Sequence, residues 1–262
     1  MPVKEMATLH YQSYGAGEPL IVLHGLLGMS DNWATLSRRF GDTFRVLAVD
    51  LRNHGKSPHG GEMNYEVMAG DVRELLQREG IARARMLGHS LGGKVAMQFA
   101  LMFPPMIERL VVVDIAPRDY APQHTELIDA MLSLDLARFT QRQQIDEALA
   151  VRIPQLHLRQ FLLKNLGRDE SGAFRWKVNL PAIRQSYERL NQAPPATGSF
   201  AGKVLFVRGT RSDYIRAEDE AAIRQRFPRA DIVDIAGAGH WVHADAPEEF
   251  FRVCHAFLNQ PG

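Results

Sequence analysis

The chain has 262 residues, of which 45% are hydrophobic, and this length is sufficient for one large α/β domain that carries an inserted segment. Its formal net charge is only +1, and its lysines and arginines form no run of like charge, which argues against nucleic-acid binding. A single cysteine excludes an internal disulfide framework, and no signal peptide or membrane-span pattern is visible. We therefore expect a cytoplasmic protein.

Short apolar runs alternate with amphipathic segments of helical length. Runs typical of buried parallel strands lie at residues 20–23, 46–49, 86–87, 110–113, 204–207 and 232–235, and a further N-terminal strand is predicted at 8–13. Helical patterns lie at residues 33–40, 65–79, 90–103, 217–227 and 247–258. This alternation predicts an α/β protein with a mostly parallel sheet that helices cover on both faces.

One stretch interrupts the alternation. Residues 118–199 contain no buried-strand pattern and instead show helical patterns at 125–136, 139–153 and 156–166. We predict a core formed by residues 1–117 and 200–262, with residues 118–199 as a helical cap above the site. The apolar side chains of this cap that we expect to line an acyl pocket are Leu132, Leu136, Phe139, Phe161 and Trp176.

The strongest local motif is Gly88-His89-Ser90-Leu91-Gly92, which matches the G-x-S-x-G nucleophile elbow. A strand pattern precedes it and a helical pattern follows, as the elbow requires. Such a sharp turn needs glycines beside the nucleophile, because larger side chains would clash there. The motif predicts that Ser90 is a nucleophile and that the amide of Leu91 donates to an oxyanion.

A second glycine-containing loop, His24-Gly25-Leu26-Leu27-Gly28, follows the strand pattern at 20–23. In the fold that the elbow indicates, the loop after this strand supplies the other oxyanion donor, so the amide of Leu26 is the candidate. We interpret His24 as a structural residue that holds the loop by hydrogen bonds.

The predicted general base is His240, within Gly237-Ala238-Gly239-His240-Trp241. It follows the last predicted strand, where a glycine-flanked loop can direct a histidine toward Ser90. The other histidines lack this context. We interpret His243 as a surface residue of the same loop, and His54 and His89 as structural residues.

Two aspartates compete for the role of the acid that orients the histidine. Asp213 follows the strand pattern at 204–207, but Ser212 occupies the usual acid position there and Asp213 is one residue late. A shift of one residue in a tight turn can direct a carboxylate away from the histidine. Asp114, at the end of the strand pattern at 110–113, occupies a variant acid position. We favour Asp114 and keep Asp213 as the alternative.

The chain resembles the α/β-hydrolase superfamily, and more narrowly the small bacterial esterases of the YbfF type and their mitochondrial relatives. The segments that carry this resemblance are 24–28 with Asn32-Trp33, 50–58, 88–94, 113–117 and 238–244. The resemblance implies hydrolysis of carboxylic esters or thioesters, and it supports Asp114 as the acid. In such esterases the later loop resembles Gly-x-x-Ser-x-Tyr, which Gly209, Ser212 and Tyr214 match.

These residues together predict a serine hydrolase that forms an acyl-enzyme on a small-molecule ester or thioester, with no metal and no organic cofactor. A carbon–carbon bond hydrolase or a cofactor-free haloperoxidase would use the same triad and stays an alternative. A further alternative is a ligand receptor built on this fold. A single slow turnover of the ligand, in place of repeated hydrolysis, would distinguish a receptor from an enzyme. The sequence does not indicate the oligomeric state.

Overall fold

A seven-stranded sheet organises the chain in the computed structural model, which describes residues 6–260. The first residues of the chain, on which the expectation about a signal peptide rests, lie largely outside this range. The strands of the sheet are β1 (Tyr11–Tyr14), β2 (Glu18–Leu23), β3 (Phe44–Val49), β4 (Ala84–His89), β5 (Ile107–Val113), β8 (Lys203–Gly209) and β9 (Ala230–Ile235). Each predicted apolar run lies within one of these strands, and the N-terminal strand begins three residues later than expected.

The strand order is β1-β3-β2-β4-β5-β8-β9. Only β1 is antiparallel to its neighbour, pairing Tyr11 with Val49, whereas all other pairs are parallel. All six residues of β4 are buried, as expected for a central strand covered on both faces. Because the strands are parallel, the loops at their carboxyl ends meet along one edge of the sheet, where ligand sites of this fold class lie.

Helices cover both faces of the sheet. Those outside the segment between β5 and β8 are α1 (Ala34–Phe40), α2 (Tyr65–Arg78), α3 (Leu91–Met102), α8 (Asp219–Arg226), α9 (Val242–Asp245) and α10 (Pro247–Leu258). One cluster of buried residues packs α2 and α3 against the sheet, and a second packs α1 and α10 against the opposite face. None of the helices in residues 6–260 combines the length and the apolar character of a membrane span.

The segment between β5 and β8, here called the insertion (residues 118–199), contains α4 (Thr125–Leu132), α5 (Arg142–Ala150), α6 (Leu156–Leu162) and α7 (Leu180–Asn191). It also contains an antiparallel hairpin of β6 (Leu166–Arg168) and β7 (Phe174–Trp176), which the sequence did not indicate. These strands are only three residues long and partly exposed, so they leave no buried-strand pattern.

Helix α7 was also missed, although local signals for it exist. Asn179 caps its N-terminus by accepting a hydrogen bond from the amide of Ala182, and Pro181 lies in the first turn. Ile183, Tyr187 and Leu190 form its buried stripe at helical spacing.

A buried ion pair fixes the loop that follows β3. The guanidinium of Arg52 binds both carboxylate oxygens of Asp71 on α2, at 2.5 and 2.6 Å. It also donates to the main-chain oxygen of Glu62 at 2.8 Å. Both charged side chains are almost fully buried, so removing either would leave an unpaired charge inside the protein.

The turn between β4 and α3 is packed so closely that only glycine fits at two positions. A Cβ atom on Gly88 would lie 2.3 Å from the main-chain oxygen of Gly92. A Cβ atom on Gly92 would lie 2.4 Å from the main-chain oxygen of Leu23, at the end of β2. The glycines of the elbow motif are therefore required by backbone-to-backbone contact, as the sequence predicted.

Replacing Gly92 with alanine should destabilise the protein, because the clash is with main chain that cannot rotate away. We expect the Gly92→Ala variant to lose about 3 kcal/mol or more in free energy of unfolding, measured by urea denaturation. Gly60→Ala is the control, since no atom lies within 4 Å of its added Cβ, and it should change stability by less than about 0.5 kcal/mol. Equal stabilities of the two variants would contradict this account of the turn.

Candidate active site

Ser90 lies at the turn between β4 and α3 with a φ of +53° and a ψ of −116°. Residues other than glycine rarely adopt a positive φ, and such strain is typical of functional sites. Its amide donates to the main-chain oxygen of Val113 at 3.1 Å, which ties the turn to the end of β5. The side chain is partly exposed and borders two cavities, so its hydroxyl is accessible to a ligand.

His240, on the loop after β9, connects Ser90 to a carboxylate. Its Nε2 lies 3.0 Å from Oγ of Ser90, and its Nδ1 lies 2.8 Å from Oδ2 of Asp114. Because a carboxylate accepts, Nδ1 carries the proton, and Nε2 of the neutral ring is left to accept from the serine hydroxyl. The main-chain oxygen of His240 accepts from Nε2 of His89 at 2.9 Å, which holds the loop in place.

Asp114 is fully buried at the end of β5, with a φ of +50°. Besides His240, its carboxylate accepts from the amide of Gly209 at 3.0 Å and from the hydroxyl of Ser212. These donors compensate the buried charge and fix the direction in which the carboxylate faces the imidazole.

The alternative acid, Asp213, is placed differently. Its side chain is exposed, and its main-chain oxygen accepts a hydrogen bond from Arg118 at 3.3 Å. Within residues 6–260, the carboxylate that is hydrogen bonded to His240 is that of Asp114. Ser212, in the usual acid position, instead contacts the Asp114 carboxylate as a neutral donor.

The two predicted oxyanion donors come from two separate segments of the chain. The main-chain oxygen of Gly25 accepts from the amide of Gly28 at 2.9 Å and from Nδ1 of His24 at 2.8 Å. This fixes the Gly25–Leu26 peptide, and with it the direction of the Leu26 N–H. Leu91 is the first residue of α3. Among the described residues, neither amide, of Leu26 or of Leu91, donates a hydrogen bond, so both are available to a ligand oxygen.

Two buried histidines support the loop that carries Leu26. His24 accepts from the amide of Leu51 at 3.0 Å through Nε2. His54 accepts from the amide of Leu27, a residue with a φ of +58°, and donates through Nδ1 to the main-chain oxygen of Arg52. Burial lowers the pKa of both, that of His54 to about 3, so both are neutral and able to accept. These contacts agree with the structural roles expected for them.

Two of the contacts between the insertion and the core lie close to Ser90 and the Leu26 loop. Asn165, fully buried, donates through Nδ2 to the main-chain oxygen of Leu27 at 2.7 Å. The ammonium of Lys94, one turn after Ser90 on α3, donates to the main-chain oxygens of Asn191 and Gln192 at 2.9 and 2.6 Å. The insertion is thus anchored both to the Leu26 loop and to the helix that follows Ser90.

His243 differs from the expectation of a surface residue. Its ring stacks on Trp33 with 4.3 Å between ring centroids, and lies 4.8 Å from the ring of His89. Burial lowers its pKa to about 3. The short helix α9 turns this side chain inward, which the loop pattern did not reveal.

Three aromatic side chains near His240 were also not predicted, namely Tyr214, Tyr120 and His124. The ring of Tyr214 stacks on the imidazole of His240, with centroids 3.8 Å apart and an angle of 19° between the planes. Tyr120 donates to the main-chain oxygen of Tyr214 at 2.6 Å and so fixes this ring. His124 enters the site from the insertion, and burial lowers its pKa to about 4. The Gly-x-x-Ser-x-Tyr pattern contains Tyr214 but gives no sign of the stacking.

A cavity of about 650 Å³ lies above Ser90 and His240, within the range of small-molecule sites. The residues of the insertion that line it are His124, Leu127, His157, Leu158, Phe161 and Leu162. Residues 6–260 contain no cluster of three or more His, Cys, Asp or Glu side chains arranged to bind a metal ion.

The expected lining of this cavity was wrong for most of the apolar residues named from the sequence. Phe161 lines the cavity, but Leu132 and Trp176 border a separate groove on the far side of the insertion. Leu136 and Phe139 pack against the buried core. Apolar composition identified side chains that are partly buried, but not the face on which each one lies.

Comparison with known proteins places this arrangement in a family. A model described as the alpha/beta hydrolase fold matches residues 18–247, and the chain belongs to this family. The sn-1-specific diacylglycerol lipase ABHD11 of Xenopus laevis is 40% identical over 256 residues, which cover 95% of this chain and 82% of that protein. Esterase YbfF of Escherichia coli strain K12 is 34% identical, with 95% of this chain and 96% of that protein covered.

The solved structure of a marine microorganism esterase superposes on this chain with a TM-score of 0.93 at 38% identity, covering 96% of this chain and all of that one. The predicted α/β-hydrolase fold and the resemblance to YbfF-type esterases are thereby confirmed. The predicted class of enzyme, an ester hydrolase, is confirmed as well.

The buried neutral His54 should make the protein sensitive to acid. Its pKa is about 3 in the folded state against 6.5 for an unperturbed histidine, so between these values the unfolded state binds a proton that the folded state does not. The free energy of unfolding should therefore fall as the pH falls from 6.5 toward 3, by up to about 1.4 kcal/mol per pH unit for this one group.

Between pH 4 and pH 6, the slope of the free energy of unfolding against pH should be smaller in His54→Gln than in the wild type. The difference should correspond to about one proton taken up on unfolding. Urea denaturation at several pH values measures it, and His59→Gln, at an exposed position, is the matched control. An unchanged slope in His54→Gln would mean that His54 is not buried in its neutral form.

Proposed function

We propose that this chain cleaves carboxylic esters through an acyl-enzyme formed on Ser90, with His240 as general base and Asp114 as the triad acid. The observation that carries the proposal is the continuous hydrogen-bonded chain from Oγ of Ser90 through both ring nitrogens of His240 to the Asp114 carboxylate. Nucleophile, base and orienting acid are the groups that a serine acyl transfer requires.

In the acylation step, Oγ of Ser90 attacks the ester carbonyl carbon while Nε2 of His240 takes the hydroxyl proton. The carbonyl oxygen becomes an oxyanion, which the amides of Leu26 and Leu91 bind. When the tetrahedral intermediate collapses, the bond to the alcohol oxygen breaks, and His240 gives its proton to that oxygen. The products are the free alcohol and an ester of Ser90.

In the deacylation step, a water molecule replaces the alcohol. His240 takes a proton from the water as its oxygen attacks the acyl carbon, and the same two amides bind the second oxyanion. Collapse breaks the bond to Oγ, returns the proton to Ser90 and releases the carboxylic acid. These steps use only side chains and amides of this chain together with substrate and water.

Asp114 serves this cycle by fixing the imidazole and stabilising its charged form. The hydrogen bonds from Gly209 and Ser212 keep the carboxylate directed at Nδ1 of His240. The stacked ring of Tyr214 limits rotation of the imidazole and presents its π-face to the imidazolium that forms in the transition state.

The insertion, residues 118–199, is proposed to form the cap of the site over a core made of residues 1–117 and 200–262. Its α4 and α6 supply side chains to the cavity above Ser90, which supports this division. The diacylglycerol lipase and esterase relatives support a small-molecule ester with apolar parts, and an acyl thioester fits the same chemistry. A cytoplasmic location is proposed on the single, buried Cys254.

The direct test is covalent labelling with a fluorophosphonate, followed by mass spectrometry of the peptides. We expect a single adduct on Ser90, and loss of both labelling and ester hydrolysis in Ser90→Ala. An adduct elsewhere, or full activity in folded Ser90→Ala, would overturn the proposal.

The two aspartates should respond differently to neutral replacement. Because Asp114 orients His240, Asp114→Asn should lower kcat by up to about 10⁴-fold, whereas the exposed Asp213→Asn should keep most of the wild-type activity. Circular dichroism must first show that both variants fold, since Asp114 also accepts bonds from its loop. The opposite ranking in folded protein would transfer the acid role to Asp213.

A further inference from the structure

Two cavities of very different size meet at Ser90. The large cavity, of about 650 Å³, was described above. A small cavity of about 40 Å³ lies beside it, and the two share four lining residues, which are Leu26, Ser90, His124 and Tyr214. The small cavity therefore has less than a tenth of the volume of the large one and admits a much shorter group.

The walls of the small cavity are fixed by buried hydrogen bonds to main chain. The hydroxyl of Tyr65 donates to the main-chain oxygen of Leu190, and the ammonium of Lys94 donates to those of Asn191 and Gln192. The hydroxyl of Tyr187 accepts from the amide of His124 at 2.7 Å. Widening the cavity would break such bonds and leave buried polar groups unpaired, so its size is held against expansion.

The same hydrogen bonds determine the chemistry of the small cavity. Most of its polar side chains are hydrogen bonded to main-chain groups, and the ammonium of Lys94 also lies 4.7 Å from the centre of the Tyr120 ring. The remaining surface comes from apolar side chains, among them Leu26, Leu91, Ile115 and Leu190. The cavity therefore fits a short apolar group.

The position of His240 decides which half of an ester enters which cavity. His240 must protonate the departing alcohol oxygen, so the alcohol lies on the side of this ring. Among the described residues, His240 lines the large cavity and not the small one, while Leu91, which bears a proposed oxyanion donor, lines only the small one. The alcohol is thereby assigned to the large cavity and the acyl chain to the small one.

We propose that the enzyme selects esters that join a short acyl group to a larger apolar alcohol. This inference rests on the proposed function, since it uses Ser90 as the nucleophile and His240 as the proton donor. Trp33, Leu158, Phe161 and Trp241 supply the apolar surface that the alcohol contacts in the large cavity. The acyl limit comes from the small volume that is open beyond the carbonyl carbon.

The test compares two isomeric esters that exchange the long and the short part, octyl acetate and ethyl octanoate. We expect kcat/KM for octyl acetate to exceed that for ethyl octanoate by at least about tenfold, because a single misplaced methylene in a rigid pocket costs about that much. With a constant alcohol, kcat/KM should fall as the acyl chain is lengthened from acetyl to octanoyl.

Two variants assign the cavities separately. Leu190→Ala enlarges the small cavity while its main-chain oxygen still accepts from Tyr65, so the preference for octyl acetate should fall by about tenfold or more. Phe161→Ala, in the large cavity, is the matched control: it should change the preference among acetyl esters of different alcohols but leave the acyl limit unchanged. Should Leu190→Ala fail to fold, Leu190→Val should give a smaller shift in the same direction.

Equal or faster hydrolysis of ethyl octanoate by the wild-type enzyme would overturn the assignment. An acyl limit that changes in Phe161→Ala but not in Leu190→Ala would also overturn it. Failure of the proposed function is distinguishable from both results. In that case the enzyme would hydrolyse neither isomer nor a small activated acetyl ester, and the fluorophosphonate would not label Ser90.

Discussion

The site depends on the contact between the turn that follows β4 and the end of β2. Gly92 has no side chain, so the first turn of α3 rests on the main-chain oxygens of Leu23 and His24. This contact brings the start of α3 close to the loop that carries Leu26, and Leu26, Ser90 and Leu91 line one cavity. Two amides on separate chain segments can bind one oxygen only if no side chain separates the segments. The glycines are therefore a requirement for such a site.

The same edge of the sheet concentrates backbone strain. Leu27, Asn53, Ser90 and Asp114 are the non-glycine residues with positive φ in the described range 6–260, and all lie in loops at the carboxyl ends of strands. Each such conformation costs free energy and persists only where its surroundings hold it. Here the support comes from buried partners, among them His54 beneath Leu27 and the Arg52–Asp71 pair beneath the loop that contains Asn53.

The sequence was most informative where one local pattern determines the structure. Apolar runs located all the parallel strands, and glycine spacing located Ser90 and the loops around it. The choice between Asp114 and Asp213 depends on distances across the sheet, so local patterns left it open. The stacking of Tyr214 on His240, the inward turn of His243 and the lining of the cavity depend on how separate segments pack. Helix α7 was missed although its cap at Asn179 and its apolar stripe at helical spacing are both local signals.

The insertion lies in the crossover connection that runs from the carboxyl end of β5 to the amino end of β8, its parallel neighbour in the sheet. A segment attached in this way can be lengthened, shortened or replaced in evolution while Ser90, Asp114 and His240 keep their positions. The two anchors limit that freedom, because Asn165 holds the loop of Leu26 and Lys94 holds the end of α7. A segment grafted from another enzyme would need an amide donor at the first anchor and free carbonyl groups at the second. Without them, the loop of Leu26 and the side chain of Lys94 would lose their buried partners.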